Sequence, residues 1–197
     1  MESLPPLEAI YSDKFFAKRG HIRPQMEPLA DAIVATVSPR TAIDVGCANG
    51  YLMESLARRG VTVRGIEGSR ACLKYLVVDP NLVLIADLRK PIAEPVGVYE
   101  LAVSLEVGEH IEEEYADQYL DTLCMLSNFI LMTAAPPGQR GTHHVNCQPQ
   151  EYWVQKMLRR GYRRLPEAEM TYRQALESWK ENKHMDAYYR NVMCFKC

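Results

Sequence analysis

Residues 41–50 constrain the fold most, because an apolar run there ends in a glycine turn and a helical pattern follows directly. The run at 41–45 has the near-continuous apolar character of a strand buried on both faces of a parallel sheet. The turn spaces Gly46 and Gly50 as Gly-x-x-x-Gly. Dinucleotide enzymes use Gly-x-Gly-x-x-Gly instead, which argues against a nicotinamide oxidoreductase. The segment predicts a strand that opens onto a bound ligand smaller than a dinucleotide.

The same alternation of strand and helix patterns continues along the chain and indicates one α/β domain spanning residues 1–197. It predicts a Rossmann-like, doubly wound, mostly parallel sheet with helices on both faces. The predicted strands are 41–45, 61–67, 82–85, 98–104, 129–133, 162–165 and 191–196. The predicted helices are 24–38, 50–59, 69–77, 112–126, 149–159 and 167–181, with a loop or broken helix at 88–97.

Composition excludes several classes of protein. The formal net charge of −2 in 197 residues offers no bulk attraction for nucleic acid or for an anionic membrane. No apolar stretch approaches the length of a membrane span, and the N-terminus lacks the pattern of a signal peptide, so we expect a cytoplasmic protein. Six scattered cysteines suit reduced thiols, since the terminal Cys194-x-x-Cys197 has no second pair to complete a zinc site.

Acidic residues follow the first three predicted strands, where ligands of parallel sheets bind. Asp44 can accept a hydrogen bond from a ligand ammonium, and Glu67 can accept from both hydroxyls of a ribose. Asp87 can accept from an adenine amino group, while the backbone amide of Leu88 reaches a ring nitrogen. Together these positions indicate a nucleoside ligand with an amino-acid end.

These residues carry a family resemblance. Residues 43–50, Glu67, Asp87 and the segment 99–110, with its terminal Glu-His, resemble the motifs of class I S-adenosylmethionine-dependent methyltransferases of the small-molecule branch. The resemblance implies a seven-stranded sheet with an antiparallel last strand, S-adenosylmethionine as cofactor, S-adenosylhomocysteine as product and direct in-line methyl transfer. The cofactor-binding residues it implies are Asp44, Gly46, Cys47, Ala48, Gly50, Glu67, Gly68, Ser69, Ala86, Asp87, Leu88, Ser104 and Leu105.

Two parts of the chain depart from the family pattern or add to it. Glu100 stands where aspartate is commoner, and residues 166–188 form a helical insertion before the last strand. Residues 1–23 are expected to cover the site, as N-terminal segments often do in this family. The aromatic residues Tyr172, Trp179, Tyr188 and Tyr189 leave two interpretations open, a substrate lid and a core.

The loop after the fifth strand is the predicted acceptor site. It is similar to the His-Val-Asn loop of some glycan- and natural-product-associated methyltransferases. The histidine and asparagine of that loop correspond to His144 and Asn146. We predict His144 and His110 as catalytic bases, since imidazole titrates near neutral pH. Predicted substrate-binding residues are His143, Asn146 and Trp153. Hydrogen bonds from His144 and Asn146 to the backbone, which would only hold the loop in place, are the alternative.

The predicted function is methyl transfer to a small molecule, with the oxygen of a sugar or secondary metabolite as acceptor. Alternatives are methylation of a protein or nucleic acid, and a non-catalytic subunit that binds the cofactor. Glu106, Glu109, His110, His143 and His144 are potential cation ligands, but nothing in the sequence sets their spacing, and we therefore predict no metal. The sequence leaves monomer and homodimer open.

Overall fold

The computed structural model describes residues 6–93 and 96–197 and contains one seven-stranded sheet. The strand order is β3-β2-β1-β4-β5-β7-β6; β1 to β5 pair in parallel, and β7 runs antiparallel to both β5 and β6. This confirms the predicted fold class. The strands are β1 (Thr41–Val45), β2 (Thr62–Glu67), β3 (Val83–Ile85), β4 (Leu101–Leu105), β5 (Phe129–Thr133), β6 (Arg163–Arg164) and β7 (Met193–Lys196).

Helices cover both faces of the sheet because side chains alternate along each strand. Ala42 belongs to a core under one face with residues of α3, α4 and α7, whereas Ile43 belongs to a core under the other face with residues of α5 and α6. The helices are α1 (Leu7–Ile10), α2 (Asp13–Ala17), α3 (Arg23–Val37), α4 (Tyr51–Ala57), α5 (Ala116–Leu126), α6 (Gln150–Arg159), α7 (Pro166–Ala175) and α8 (Asp186–Arg190). Among the described residues, no helix is both long and apolar enough to cross a bilayer.

Four predicted elements differ from the structure by three residues or more at one end. The helix predicted over 112–126 begins at Ala116, and the helix predicted over 167–181 ends at Ala175. The helix predicted over 69–77 is a single 3₁₀ turn, Arg70–Lys74, after which the Val77 amide donates to the Asn49 carbonyl and the chain turns away. The strand predicted over 98–104 begins only at β4, because Gly97 has φ +88° and Val98 is 76% exposed. The end of β4 that faces the site is as predicted within one residue.

The insertion at 166–188 contributes to the core. Tyr172, Leu176 and Met185 are fully buried in the same core as α3, which α7 packs against. Tyr172 therefore fits the core interpretation, whereas Trp179 is 36% exposed. Residues 1–5 of the predicted N-terminal cover lie outside the described part of the chain.

Candidate active site

The glycine turn after β1 is held against the end of β2. The amides of Gly46 and Cys47 both donate to the Ile66 carbonyl, at 2.8 and 3.0 Å. Gly46 has φ +87°, and a Cβ there would lie 2.5 Å from Cγ2 of Val107. Ala48 also has a positive φ of 49°. The turn thus requires glycine at 46 both for its backbone conformation and for the close approach of the segment after β4.

Two adjacent cavities lie at the carboxyl ends of β1, β2 and β4. The large cavity has a volume of about 690 Å³ and the small cavity about 380 Å³, both including space that is open to solvent. They share Gly46, Ala48 and Leu105 in their walls. Other predicted residues in the walls are Glu67, Gly68, Asp87, Leu88 and His110 in the large cavity, and Asp44 and Cys47 in the small one.

Four residues predicted to bind cofactor support these walls from behind. Gly50 has φ +75° and begins α4, and the Ala86 amide donates to the Glu67 carbonyl at 3.0 Å. Ser69 accepts from the Ala71 amide and donates to the Tyr11 carbonyl. The fourth, Ser104, is fully buried; its hydroxyl donates to the Val45 carbonyl and accepts from the Tyr119 hydroxyl.

Glu67 orders the turn from the end of β2. One carboxylate oxygen accepts from the Ala48 amide and the other from the Ser69 amide, each at 3.0 Å. Burial raises the pKa of this carboxyl, and the two amide hydrogen bonds oppose that rise. Each oxygen keeps a further lone pair, so the side chain can still accept from a ligand hydroxyl.

Asp87 is paired with a residue that the sequence analysis missed. The Arg89 guanidinium donates from Nε to Oδ1 at 2.9 Å and from Nη2 to Oδ2 at 3.0 Å. Burial raises the pKa of the Asp87 carboxyl, but the Arg89 hydrogen bonds outweigh it, and the net pKa is lowered. The ion pair stiffens the wall beside Leu88, and contacts to an adenine amino group would have to use the lone pairs that Arg89 leaves free.

Asp44 is a buried carboxylic acid in the wall of the small cavity. Burial, followed by the nearby charge of Glu67, raises its pKa to about 7, and Arg19 opposes this. Arg19 lies between α2 and α3 and contributes to the walls of both cavities. Its Nε is buried without a hydrogen-bond partner among the described residues. A buried donor without such a partner, whose charge acts on both Asp44 and Glu67, indicates a site for an anionic ligand group as well as a cationic one.

The N-terminal helices form part of the same walls. Leu7, Tyr11 and Phe15 line the large cavity beside the residues that follow the strands. The Tyr11 ring makes edge contacts with the rings of His110 and His143, at centroid distances of 5.8 and 6.3 Å. The sequence carried no signal for Leu7 and Phe15, because a short apolar segment before the first long helix carries no motif.

A cluster of Glu109, His110 and His144 lies at the end of the large cavity that follows β4. One potential ligand atom from each residue lies within 4.8 Å of the others. His110 lines the cavity, while Glu109 is fully buried behind it. Burial and His144 lower the pKa of His110 to about 4, and burial with the charge of Glu106 raises the pKa of Glu109. The neutral imidazole of His110 can therefore act as a base or a ligand at pH 7.

The predicted substrate residues take different positions. Asn146 is buried; its Oδ1 accepts from Gln148 at 2.9 Å, and its Nδ2 has no partner in the described chain. Trp153 is fully buried in the α5–α6 core and contacts Tyr119, so in this conformation it supports the site rather than facing a ligand. His143 has φ +57°, and its carbonyl lies 3.2 Å from Nδ1 of His110.

A polar network from the end of the chain also reaches the site, and the sequence carried no signal for it. Asn191 is buried, and its Nδ2 donates to Oε1 of Glu106 at 3.1 Å and to Oε1 of Gln139 at 3.0 Å. Gln139 in turn donates to Glu106. Glu106 has φ +55°, a strained conformation that such a network can maintain.

Comparisons with known proteins identify the fold. No model of a protein family matches the chain. A curated relative, the ubiquinone biosynthesis O-methyltransferase of Nitrosomonas europaea, is 36% identical over 92 residues, 42% of this chain and 38% of the relative. The chain thus matches less than half the length of this relative.

Solved structures extend the likeness over most of the chain. The methyltransferase domain of bacterial CtHen1-CN has a TM-score of 0.60 at 16% identity, over 89% of this chain and 100% of that one. Magnesium protoporphyrin IX methyltransferase from Synechocystis PCC 6803, with bound SAH, has a TM-score of 0.58 at 16% identity, over 84% and 81%. The resemblance stated from the motifs is confirmed at the level of fold.

Proposed function

We propose that this chain, which has the class I methyltransferase fold, is an S-adenosylmethionine-dependent methyltransferase of a small molecule. The observation that carries the proposal is the pair of adjacent cavities whose walls contain Gly46, Glu67 and Asp44 and extend to His110. The names of the curated relatives and of the structural neighbours support the same reaction class.

The cofactor fits the two cavities by chemistry. Glu67 would accept from the ribose hydroxyls and Leu88 would contact the adenine in the large cavity. Asp44 would bind the ammonium and Arg19 the carboxylate of the methionine end in the small cavity. Opposite charges at fixed positions suit a zwitterionic amino-acid group, and they hold the sulfonium in one orientation for in-line transfer.

We further propose a hydroxyl oxygen of a sugar or secondary metabolite as the acceptor. A hydroxyl must lose its proton during transfer, and Glu109, His110 and His144 are the titratable groups gathered at the predicted acceptor end. His143 and Asn146, on the loop that closes this end, would contact the acceptor, while Trp153 would support them. The large cavity is a concave site lined by both apolar and polar side chains, which suits a small molecule.

One experiment separates the alternatives. The chain is expected to bind S-adenosylhomocysteine in calorimetry and to transfer labelled methyl groups from S-adenosylmethionine into the small-molecule fraction of a cell extract. Label in protein or nucleic acid would refute the proposed substrate class. Cofactor binding without label in any fraction would indicate a non-catalytic binding protein, and no cofactor binding would refute the proposal entirely.

The role of His144 at the acceptor end of the cavity can be tested with one variant and one control. His144→Ala is expected to bind S-adenosylhomocysteine as the wild type does but to lower methyl transfer by at least about 100-fold, in the range of lost proton-transfer catalysis. His184→Ala removes an exposed imidazole elsewhere and is expected to keep full activity. Equal activity of both variants would exclude a role for His144.

Cofactor affinity is expected to depend on pH through Asp44. Its pKa of about 7 means that the carboxyl is ionised above pH 7 and protonated below it. Since the ligand ammonium requires the ionised form, the Kd for S-adenosylhomocysteine should rise about tenfold per pH unit below pH 7. Asp44→Asn should bind weakly with little pH dependence between pH 5 and 8. A wild-type Kd that stays constant over that range would contradict the assignment.

The raised pKa of Asp44 also affects the stability of the chain without cofactor. That stability is expected to fall as pH rises, whereas cofactor affinity is expected to increase. The folded state holds the Asp44 proton more tightly than the unfolded state, whose carboxyl has a pKa of 3.8. Its contribution to stability is therefore complete below about pH 4 and is lost as pH rises through 7. Asp44→Asn should accordingly stabilise the free protein at pH 8 while it weakens cofactor binding.

A further inference from the structure

We propose that Glu109, His110 and His144 form a binding site for one divalent transition-metal ion at the acceptor end of the large cavity. The catalytic use of the ion rests on the proposed methyltransferase function, whereas its binding does not. The expectation of no metal arose because the sequence set no spacing between the potential ligands. The folded chain brings one ligand atom of each residue within 4.8 Å of the others.

Two segments far apart in sequence are joined to make the cluster. Glu109 and His110 lie in the 3₁₀ turn Gly108–His110 that follows β4. The amides of Val145 and Asn146 both donate to the Glu109 carbonyl, at 2.9 and 3.0 Å, which holds His144 beside Glu109. The three ligands are therefore attached to backbone that is itself hydrogen-bonded, as a preformed ion site requires.

Each imidazole is oriented by a backbone carbonyl. Nδ1 of His144 lies 3.0 Å from the Gln139 carbonyl, and Nδ1 of His110 lies 3.2 Å from the His143 carbonyl. A carbonyl only accepts, so in both rings Nδ1 carries the proton and the other nitrogen keeps a free lone pair. This is the arrangement that metal-binding histidines adopt, with the outer N–H donated to a carbonyl or carboxylate.

The buried carboxyl group of Glu109 provides independent support for a cation site. Its side chain is 0% exposed, and both carboxylate oxygens lack a hydrogen-bond partner among the described residues. Nε2 of His144 lies 3.9 Å from Oε1 of Glu109, beyond hydrogen-bond distance. A buried carboxyl without hydrogen-bond partners is costly, and either protonation, which its raised pKa favours, or a bound cation lowers that cost.

The ligand set selects the class of ion. Two imidazoles and one carboxylate favour Zn²⁺, Mn²⁺, Fe²⁺ or Co²⁺ over Mg²⁺ and Ca²⁺, which prefer oxygen ligands. Ligands of one ion at 2.0–2.2 Å lie at most about 4.3 Å apart, so small side-chain rotations would complete the site. Three protein ligands leave coordination positions open toward the cavity that His110 lines.

The ion would change how the acceptor loses its proton. A hydroxyl bound to it becomes more acidic and releases its proton to water in the cavity. The oxygen then attacks the methyl carbon, an O–C bond forms, and the C–S bond breaks with its electron pair left on sulfur. The two histidines would thus act on the acceptor through the ion, as ligands rather than as bases.

Gly141 gives a positioning test of His144. A Cβ at Gly141 would lie 2.0 Å from Nε2 of His144, the nitrogen that faces Glu109. Gly141 is exposed and its φ is not positive, so alanine is compatible with the backbone there. Gly141→Ala is therefore expected to displace the imidazole and weaken metal binding without removing any ligand.

The test is titration of the tag-free, chelator-treated full chain with Co²⁺, followed by visible absorption and calorimetry. One Co²⁺ per chain is expected, with d–d bands of a low-coordinate site, and Mg²⁺ should compete poorly. Glu109→Gln, His144→Ala and Gly141→Ala should each weaken Co²⁺ binding by at least about tenfold. His184→Ala, a matched loss of an exposed imidazole, should bind as the wild type does.

Two results would overturn the site, namely the absence of saturable Co²⁺ binding and binding that the three variants leave unchanged. The same samples are titrated with S-adenosylhomocysteine to keep the two proposals distinct. Cofactor binding without Co²⁺ binding refutes the metal site alone. Specific Co²⁺ binding without cofactor binding refutes the proposed function and leaves the metal site standing.

Discussion

Gly46→Ala is expected to abolish measurable cofactor binding, with a loss of more than about 100-fold in affinity for S-adenosylhomocysteine. Gly46 has φ +87°, a conformation that costs an L-residue roughly 1–2 kcal/mol. The added Cβ would also lie 2.5 Å from Cγ2 of Val107, which is buried and has little room to move. Relief of that contact displaces either the turn or the segment after β4, and both line the cavities.

Substitution of a second glycine, Gly60, distinguishes the effect of backbone strain from that of a steric clash. Gly60 has nearly the same φ, +81°, but a Cβ there would meet no atom within 4 Å. Gly60→Ala should therefore lower the free energy of unfolding by roughly 1–2 kcal/mol and leave cofactor affinity unchanged. Calorimetry and denaturant unfolding of both variants provide the comparison. If Gly46→Ala behaves like Gly60→Ala in both measurements, the close approach at Gly46 has no role in binding.

The residues whose positions could be predicted from the sequence are those that sheet geometry alone places. The ends of β1 and β2 must meet at one edge, and Gly46 and Glu67 therefore converge whatever the loops do. The position of Asp87 was predicted from the sequence, but its ion pair with Arg89 was not. Its bidentate pairing with Arg89 depends on the conformation of a loop that no periodicity describes.

Contacts between distant segments were beyond the reach of sequence patterns. Asn191 donates to Glu106 across 85 positions, and Arg19 enters the cavities from a short segment between helices. Neither Asn191 nor Arg19 lies at a characteristic spacing from a sequence motif. Glu109 and His144 were both identified in the sequence as potential metal ligands. Their proximity depends on the conformation of the loop that carries His144, which the sequence pattern does not predict.

Trp153 illustrates a different limit. An aromatic residue beside a polar loop suits a binding wall and a core equally well by composition. Its complete burial against Tyr119 and beneath Gly108, where a Cβ would lie 3.0 Å from the indole, follows from the packing of α6 on α5. Tertiary packing, which periodicity does not encode, decides between the two interpretations.

The insertion at 166–188 leads to the largest expected effect on stability. Glu169 on α7 is 3% exposed and accepts from Arg164 on β6, at 2.6 and 2.9 Å, and from the Cys194 amide on β7 at 3.2 Å. Glu169→Ala would leave the guanidinium and the buried amide without this partner. Loss of one member of such a pair costs roughly 3–5 kcal/mol, and the 29% exposure of Arg164 places the expected loss near about 3 kcal/mol.

For a chain of this size, that loss should lower Tm by roughly 6–12 °C, measurable by calorimetry. Glu167→Ala, on the same helix but exposed, should change the free energy of unfolding by less than about 0.5 kcal/mol. Since no residue of α7 lines either cavity, cofactor affinity should fall only as the folded fraction falls. A Glu169→Ala protein as stable as Glu167→Ala would mean that the pairing of Glu169 with Arg164 and Cys194 does not anchor the insertion to the edge of the sheet.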